Sequence, residues 1–309
     1  AWQREIVEAF HQENPHIRIE MVDTAGTGLV PKMQTMLAGG VPLDIGYMDP
    51  WLVVQWGKEG LLEPLDSYIE QDQEQFADWP DQVFEFYRTG GKLYGIPQDL
   101  QVGGIFYNID MFGSAGVPTP FPGWTYADLE EMARRLRVVG QDGRAQRWGF
   151  RIPSSRNWVP VVWAFGGDLV DDWSDPTRFI GDSPQTVEAL RYLQNLVEIG
   201  AAQDRVSDSQ IPFAQAFSNQ HVAMVQTNTI SMSAFYSIED FEWDVVPLPA
   251  GPAGRAGFIN AIGWFMFSSS TDKEASWQVL KYFTAAESRK RRAEITGNMP
   301  PSVGTMQSV

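Results

Sequence analysis

The chain has 309 residues, a formal net charge of −16 at pH 7, 43% hydrophobic residues and no cysteine. A single hydrophobic core usually stops growing below this length, so we expect two lobes. The acidic balance disfavours a nucleic-acid backbone or an anionic membrane surface as the main partner, and the lack of cysteine excludes disulfides, thiolate nucleophiles and cysteine-ligated zinc.

The first sixty residues alternate between helical and strand-like patterns. Apolar spacing and the positions of Gly and Pro predict, in order, a helix that stops at Asn14-Pro15, a strand over 17–22, a helix over 31–37, a strand over 43–48 and a helix from Pro50 toward Gly60. This order is typical of a mostly parallel sheet covered by helices.

The segment over residues 94–112 resembles a buried strand interrupted by polar residues and by Gly103-Gly104. On a strand, Asp99 and Gln101 share one face, because side chains alternate between faces. The glycine pair can absorb changes in φ and ψ at little steric cost, so we interpret it as a pivot between lobes. A bulge within one sheet is the alternative.

Three later helices carry N-terminal capping signals. They begin at Thr125 with Asp128, at Ser183-Pro184, and at Thr271 with Glu274. Their apolar stripes predict core-facing surfaces, so we assign Trp277 in the third helix to packing.

Most catalytic motifs are absent or incomplete. The loop over residues 26–31 follows a predicted strand, but Pro31 replaces the third glycine of a dinucleotide-binding loop. Neither the three histidines nor the Gly113–Gly116 segment forms a metal site or a nucleophile elbow. A pair of carboxylates for glycoside hydrolysis stays open, with Asp49 and Asp99 as candidates.

Several short motifs resemble, in the same order, those of bacterial extracellular solute-binding proteins of the maltose-binding type, which feed ABC importers. They are residues 10–19 with Asn14-Pro15, Leu37–Gly40, Asp44-Ile45, Glu59–Asp66, Gly91–Pro97, Phe106–Phe112, Ala115–Pro118, Trp124-Thr125, Gly166-Gly167, Ala223-Met224, Val246–Pro249 and Gly297–Pro300. The resemblance covers nearly the whole chain. Gln220 and Leu43 depart from the family pattern, and neither position must perform chemistry.

The resemblance implies an α/β fold with two lobes, chain crossings between them and a ligand cleft that closes by hinge motion. The first lobe is expected to contain residues 1–102 and 255–297, and the second 105–250 and 300–309. The hinges are then expected near 98–106, 250–256 and 297–301. From the resemblance, we expect the family's first strand and last helices to be absent from this sequence.

The resemblance also implies that Gln101 lies where family members present a polar side chain to sugar. Polar groups that pair with hydroxyls, and flat apolar faces that cover the C–H side of a ring, suit such a ligand. Loops that follow predicted strands supply both kinds. The full candidate set is Asp49, Trp51, Asp99, Gln101, Arg156, Asn157, Trp158, Asn228, Asn260 and Trp264.

The leading hypothesis is therefore a carbohydrate receptor without catalytic activity, cofactor or metal. It is expected to act in the periplasm or outside the cell, with or without a lipid anchor. Its expected partners are a carbohydrate and the membrane permease subunits of an ABC transporter; we expect a monomer and no nucleic acid. A glycoside hydrolase, or a receptor for another small solute, is the alternative.

Overall fold

The computed structural model describes residues 2–22, 28–153, 156–173, 176–203 and 213–307. The chain divides into two compact units, the first formed by Ala1–Gln101 and Asn260–Val309 and the second by Val102–Ile259. The chain therefore leaves unit 1 after Gln101, within the first predicted hinge, and returns to it at Asn260. Residues 300–309 group with unit 1. The hinge positions themselves stay a prediction.

The first pass through unit 1 contains α1 (Trp2–Glu13), α2 (Leu29–Ala38), β1 (Ile45–Met48), α3 (Pro50–Lys58), α4 (Asp66–Gln71), α5 (Asp81–Glu85), β2 (Arg88–Thr89), β3 (Lys92–Leu93) and β4 (Ile96–Asn108), which continues into unit 2.

Unit 2 then contains α6 (Ile109–Ala115), α7 (Tyr126–Leu136), β5 (Val138–Val139), β6 (Ala145–Arg151), α8 (Val159–Ala164), α9 (Pro184–Glu198), β7 (Ala202–Gln203), α10 (Phe213–Ser218), β8 (Val222–Asn228), α11 (Met232–Phe235), β9 (Trp243–Val246), β10 (Ala250–Gly251) and β11 (Gly254–Arg255). The return to unit 1 contains β12 (Ile259–Met266), α12 (Lys273–Thr284), α13 (Ala286–Thr296) and α14 (Val303–Met306). None of the helices described is long and apolar enough to cross a membrane.

Unit 1 is built around an aromatic core on β1 and β12. The two strands are antiparallel, with Gly46 opposite Phe265. A Cβ atom at Gly46 would lie 2.3 Å from the Phe265 ring, so only glycine leaves room for that ring. The fully buried aromatic side chains of this unit include Phe10, Trp56, Tyr87, Phe265, Phe267 and Trp277. Burial of each such side chain is worth about 1.5–3 kcal/mol.

The strand predicted over residues 17–22 is wrong, because the structure assigns no strand there. The backbone N–H of Ile19 instead donates to Nε2 of His11 at 2.8 Å. Met21 and Val22 are exposed, so the alternating pattern does not cover a core. A strand needs a neighbouring strand to pair with its backbone N–H and C=O groups, as well as an alternating pattern of side chains. Here the side chain of His11 accepts one of the backbone N–H groups instead.

The sheet of unit 2 is mixed rather than mostly parallel. β6 is parallel to both β7 and β8, whereas β4 is antiparallel to β8 and to β9, and β5 is antiparallel to β6. An alternating order of helices and strands predicts that two neighbouring strands are parallel only where a single crossover helix joins them. Since several elements separate β4 from β8, the sequence pattern left their relative direction undetermined.

Local capping signals were mostly predicted correctly. Thr125 and Asp128 form a reciprocal capping box at α7, and Ser183 caps α9 by accepting from the N–H of Thr186. The assignment of Thr271 as the cap of α12 is wrong by one residue. Asp272 is the N-cap, and its carboxylate accepts from the N–H of Ala275 at 2.9 Å. A carboxylate one position later provides the acceptor instead.

Gly103 and Gly104 lie inside β4, opposite Asn228 and Thr227 of β8. A Cβ atom at Gly104 would lie 2.9 Å from a methyl group of Val245 and 3.2 Å from the carbonyl oxygen of Val246. Close approach of β9 therefore accounts for glycine at this position. The pivot role of the pair stays a prediction.

Candidate functional site

Asp49, Gln101 and Asn260 form a hydrogen-bonded set in unit 1, which we call the Asn260 cluster. Nδ2 of Asn260 donates to Oδ1 of Asp49 at 2.9 Å and to Oε1 of Gln101 at 3.4 Å. The three residues come from the end of β1, the middle of β4 and the start of β12. Gln101 is buried, whereas Asp49 and Asn260 are half-buried. The cluster therefore combines amide and carboxylate groups near the surface of one unit.

Asp49 directly precedes helix α3, which begins with Pro50. Proline suits the first helical position, where the missing N–H would have no intrahelical partner. A carboxylate beside the N-terminus of a helix is stabilised by the helix dipole. Trp51 follows in the first turn of α3 and is 52% exposed. An exposed indole thus lies two residues from the carboxylate of the cluster.

Asp99 belongs to a separate buried group, the Asp99–Arg292 cluster. Its Oδ2 accepts from Nε of Arg292 at 3.0 Å, from Nη2 of the same guanidinium, and from Nδ2 of Asn298 at 2.7 Å. Nη2 of Arg292 also donates to the hydroxyl of Tyr47 at 2.6 Å. The guanidinium lies 3.8 Å from the ring centroid of Trp2. Asp99 is only 1% exposed, and its Oδ2 takes all three of these bonds from residues of unit 1.

Tyr47 stays neutral in this cluster. Burial raises the pKa of its hydroxyl well above the ordinary value, and the charge of Asp99 raises it further. The hydroxyl accepts a hydrogen bond from Arg292 and adds no second negative charge. The cluster therefore pairs one cation with one anion, while Oδ1 of Asp99, Nη1 of Arg292 and Oδ1 of Asn298 are buried without a hydrogen-bond partner among the described residues.

Trp264 is also internal to unit 1. It is 5% exposed, and its Nε1 donates to Oε1 of Gln98 at 2.8 Å. Its ring packs against Tyr47 and Phe283, with centroids 4.6 and 4.7 Å away. We therefore leave Asp99 and Trp264 out of the proposed binding set, although the sequence analysis included both.

Unit 2 carries a second polar set at the end of β8 and in the loop before α8. Asn228 ends β8, and its side chain accepts from the N–H of Ile230 at 3.1 Å. Nε2 of Gln226 donates to the carbonyl oxygen of Asn157 and so fixes that loop to the strand. Arg156 is exposed, Asn157 is half-buried, and Trp158 packs partly against the core of this unit.

Two buried glutamines of unit 2 were not predicted from the sequence as site residues. Gln203 at the end of β7 and Gln226 in β8 are both buried. The side-chain oxygen Oε1 of each has no hydrogen-bond partner within the part of the chain that the structure describes. Gln203 lies opposite Arg151 in the parallel pair of β6 and β7. The available signal was a polar residue at the end of an otherwise apolar strand, as in Val222–Asn228.

The described residues contain no group of three or more His, Asp or Glu side chains that could hold a metal ion. Asp49 accepts from the amide of Asn260, while Asp99 is paired with the guanidinium of Arg292. These carboxylates therefore occupy different environments, one half-buried and one enclosed. The Asn260 cluster therefore offers a ligand hydrogen-bonding groups, and Trp51 offers an exposed aromatic face.

The chain is similar to known binding proteins. A putative binding protein of Brucella abortus is 23% identical over 308 residues, covering 96% of this chain and 71% of that protein. A multiple sugar-binding protein of Streptococcus mutans is 28% identical over 304 residues, covering 96% and 70% of the two chains.

Solved structures show the same two-lobe fold. An ABC substrate-binding protein of Listeria monocytogenes in complex with cycloalternan matches with a TM-score of 0.89 and 28% identity, covering 99% of this chain and 78% of that one. The family model described as bacterial extracellular solute-binding protein matches residues 1–290. The chain therefore belongs to the bacterial extracellular solute-binding protein family.

Proposed function

We propose that this protein binds a carbohydrate and delivers it to the membrane permease of an ABC importer. The observation that carries the proposal is the Asn260 cluster, whose Asp49 is followed two residues later by the exposed Trp51. Amide and carboxylate groups can accept from and donate to sugar hydroxyls, and a hydrogen bond to a charged group is worth about 1.5–3 kcal/mol. The indole supplies a flat apolar face for the C–H side of a sugar ring.

Two relatives support a sugar as the ligand. The Streptococcus mutans relative is a multiple sugar-binding protein, and the Listeria monocytogenes structure contains cycloalternan, each at 28% identity. We propose that the polar set of unit 2, with Asn157, Trp158 and Asn228, contributes to the same binding event. Gln101 contributes through the amide that pairs with Asn260.

The protein is proposed to bind without breaking a covalent bond. A glycosidase of the usual type needs one carboxylic acid that protonates the leaving group and one carboxylate that acts as base or nucleophile. Asp99, one of the two candidates for such a pair, is held by Arg292 and Asn298 away from solvent. Its Oδ2 is therefore occupied by donors of unit 1.

The proposed partners follow from the family. A solute-binding protein outside the cytoplasmic membrane hands its ligand to permease subunits, and one ligand site per chain is enough for that role. We therefore propose a monomeric receptor in the periplasm or outside the cell.

The test is a titration with a panel of mono- and oligosaccharides, followed by tryptophan fluorescence and by calorimetry. We expect saturable binding without hydrolysis products. Trp51→Ala should weaken binding about three- to tenfold, since one aromatic contact is worth about 0.5–1.5 kcal/mol beyond its area. Phe121→Ala is the matched control, because Phe121 is a similarly exposed aromatic in unit 2.

Two results would contradict the proposal. Release of shorter sugars during the titration would indicate a glycoside hydrolase. Failure to bind any saccharide, together with binding of another small solute, would move the protein to a different ligand class. Equal losses for the Trp51 and Phe121 variants would remove Trp51 from the site while leaving the receptor function in place.

A further inference from the structure

Asn260 holds the two other side chains of the Asn260 cluster. Its Nδ2 donates to Oδ1 of Asp49 at 2.9 Å and to Oε1 of Gln101 at 3.4 Å. An amide nitrogen carries two hydrogens, so both donors of Asn260 are committed within the cluster. Apart from its single side-chain oxygen, Asn260 can therefore act on a ligand only through the two residues that it holds.

Asp49 is turned away from the position that its place in the chain favours. It is the N-cap residue of α3, and an aspartate there usually accepts from a backbone N–H of the first helical turn. The Asp49 side chain makes no such bond to α3 and accepts from Asn260 of β12 instead. The two residues are 211 positions apart along the chain. The amide of Asn260 therefore sets the direction of this carboxylate.

Gln101 is oriented by the same amide, with the opposite chemical result. Its Oε1 accepts from Asn260, so its nitrogen lies on the other arm of the side-chain amide. Gln101 is only 3% exposed, which leaves its side chain little room for other rotamers. A carboxylate has about four lone-pair positions, so the bond from Asn260 leaves Asp49 with acceptor capacity. Asn260 thus presents Asp49 as an acceptor and Gln101 as a donor.

Strands carry all three residues or end beside them. Asp49 directly follows β1, whose last residue, Met48, lies opposite Gly263 of the antiparallel β12. Gln101 is the last residue of unit 1 before the chain leaves it, and Asn260 is the first after the chain returns. Sites built on strands are held more precisely than sites on loops. Loss of the Asn260 amide should therefore disturb the cluster locally rather than unfold unit 1.

We propose that Asn260 is a positioning residue, which sets ligand affinity by holding the Asp49 carboxylate and the Gln101 amide rather than by contacting the ligand. The inference rests on the proposed function and narrows its ligand class. A group that meets both side chains must donate to Asp49 and accept from Gln101, which a hydroxyl does and an ammonium group does not. An anionic group would be repelled by Asp49. The ligand class is therefore an uncharged polyhydroxyl compound rather than a cationic or anionic solute.

The first test uses Asn260→Asp, which keeps the shape of the side chain and replaces the donor by a second carboxylate. The probe is the saccharide of the panel that gives the largest fluorescence change with the unaltered protein. At pH 8 both carboxylates are charged, so binding should be about tenfold weaker than in the unaltered protein. At pH 5 the pair retains one proton, which restores a donor toward Asp49, so the loss should fall below about threefold.

Two phenols that interact with Asp49 stay neutral over this pH range. Burial raises the pKa of both Tyr47 and Tyr87, and the charges of Asp99 and Asp49 raise both further. Asp99 itself is paired with Arg292. The unaltered protein should therefore bind with the same affinity, within about twofold, at pH 5 and pH 8.

Asn195→Asp is the matched control. Nδ2 of Asn195 donates to Oε2 of Glu130 at 3.4 Å in unit 2, and both side chains are half-buried, as are those of Asn260 and Asp49. The variant creates a pair of carboxylates outside the cluster. Its affinity should stay within about twofold of the unaltered value at both pH values.

A double-mutant cycle separates positioning from direct contact. Asp49→Asn and Asn260→Ala should each weaken binding about tenfold. The double variant should be weaker than Asp49→Asn alone by less than about threefold, because Asn260 then has no carboxylate to hold. Losses that multiply would show that Asn260 contacts the ligand itself, and they would overturn the inference.

The pH comparison can also overturn it. An equal loss for Asn260→Asp at pH 5 and pH 8, or no loss at either, would contradict the inference and leave the proposed function standing, since the saccharide still binds to the unaltered protein. If the unaltered protein binds no saccharide, the proposed function fails and the inference fails with it.

Discussion

Asp99 in unit 1 and Asp168 in unit 2 each collect three hydrogen bonds on one carboxylate oxygen, yet they serve different ends. The donors to Asp99 are two guanidinium nitrogens of Arg292 and the amide of Asn298. The donors to Asp168 are two neutral indoles and one backbone N–H. Asp99 is almost fully buried, whereas Asp168 is half-buried and one of its indoles is exposed.

The comparison shows that hydrogen-bond number does not decide what a carboxylate does. In the enclosed cluster, the low effective dielectric makes the ion pair strong and makes an unpaired partner costly. At Asp168, water can replace each donor, so the carboxylate chiefly sets the direction of two rings. We therefore infer that Asp99 stabilises unit 1 and that Asp168 orients a surface.

The largest predicted effect is that of Asp99→Ala. It leaves the guanidinium of Arg292 buried without its anion, so the free energy of unfolding should fall by about 3–5 kcal/mol. Asp168→Ala should lower it by about 1 kcal/mol or less, as for an ordinary hydrogen bond near the surface. Urea unfolding followed by fluorescence measures both. Equal losses would show that burial does not separate the two carboxylates.

A double variant, Asp99→Leu with Arg292→Met, is the control for this prediction. It removes both charges together, so it should be more stable than Asp99→Ala alone. A double variant as unstable as the single one would assign the loss to packing rather than to an uncompensated charge.

The second prediction concerns two arginines that lie three residues apart on α13. Arg292 has an anionic partner, whereas Nε and Nη1 of Arg289 have no hydrogen-bond partner among residues that the structure describes. The guanidinium of Arg289 lies 4.5 Å from the ring centroid of Trp79, and burial lowers its pKa to about 10. Burial of this charge therefore has a cost that the ring and the charge of Asp78 only partly offset.

Arg289→Met should consequently leave the free energy of unfolding within about 1 kcal/mol of the unaltered value, or raise it. Arg292→Met should lower the free energy of unfolding by several times that amount, because Asp99 stays buried without its cationic partner. The two variants change the same residue type on the same helix, so each is the control for the other. A larger loss of unfolding free energy for Arg289→Met than for Arg292→Met would contradict this prediction. It would show that the contacts of the Arg289 guanidinium stabilise the fold.

These clusters also show what the sequence could predict. The alternation of β4 correctly placed Asp99 and Gln101 on one face, and the capping box at Thr125 needed only residues three positions apart. Burial of Asp99 depends on Arg292 and Asn298, which lie 193 and 199 residues away along the chain. No local pattern in residues 94–112 contains that information.

The sequence was least informative where polar residues are buried or where a strand lacks a neighbour. Arg289 and Arg292 belong to a segment, Ala286–Thr296, whose charged residues resemble a solvated helix. Residues 17–22 have strand-like alternation, but strand formation depends on backbone partners from elsewhere in the chain. The contact of Trp163 and Trp173 with Asp168 was not predicted either. Asp168 and Trp173 are five residues apart, and only the bends of the folded segment bring the carboxylate and the indole N–H together.

The smallest predicted effect on the free energy of unfolding is that of Asp72, whose carboxylate has one charged and one neutral donor. It is a partly exposed carboxylate of unit 1, with Oδ1 accepting from Nζ of Lys281 at 2.8 Å and Oδ2 from Nε1 of Trp277 at 2.7 Å. Burial alone would raise the pKa of Asp72, but the hydrogen bonds from Lys281 and Trp277 outweigh it and lower the pKa. The charged form is therefore favoured by folding.

A lowered pKa in the folded state contributes stability above the unfolded value near 3.8, and that contribution is lost as the pH falls through the folded pKa. Asp72→Asn should therefore reduce the free energy of unfolding by about 0.2–1 kcal/mol at pH 7 and by less at pH 3. Urea midpoints at both pH values measure the difference, with the exposed Asp81→Asn as control. If the deficit of the Asp72 variant is the same at pH 3 as at pH 7, the ion pair with Lys281 does not stabilise the fold, and only carboxylates as enclosed as Asp99 do so in unit 1.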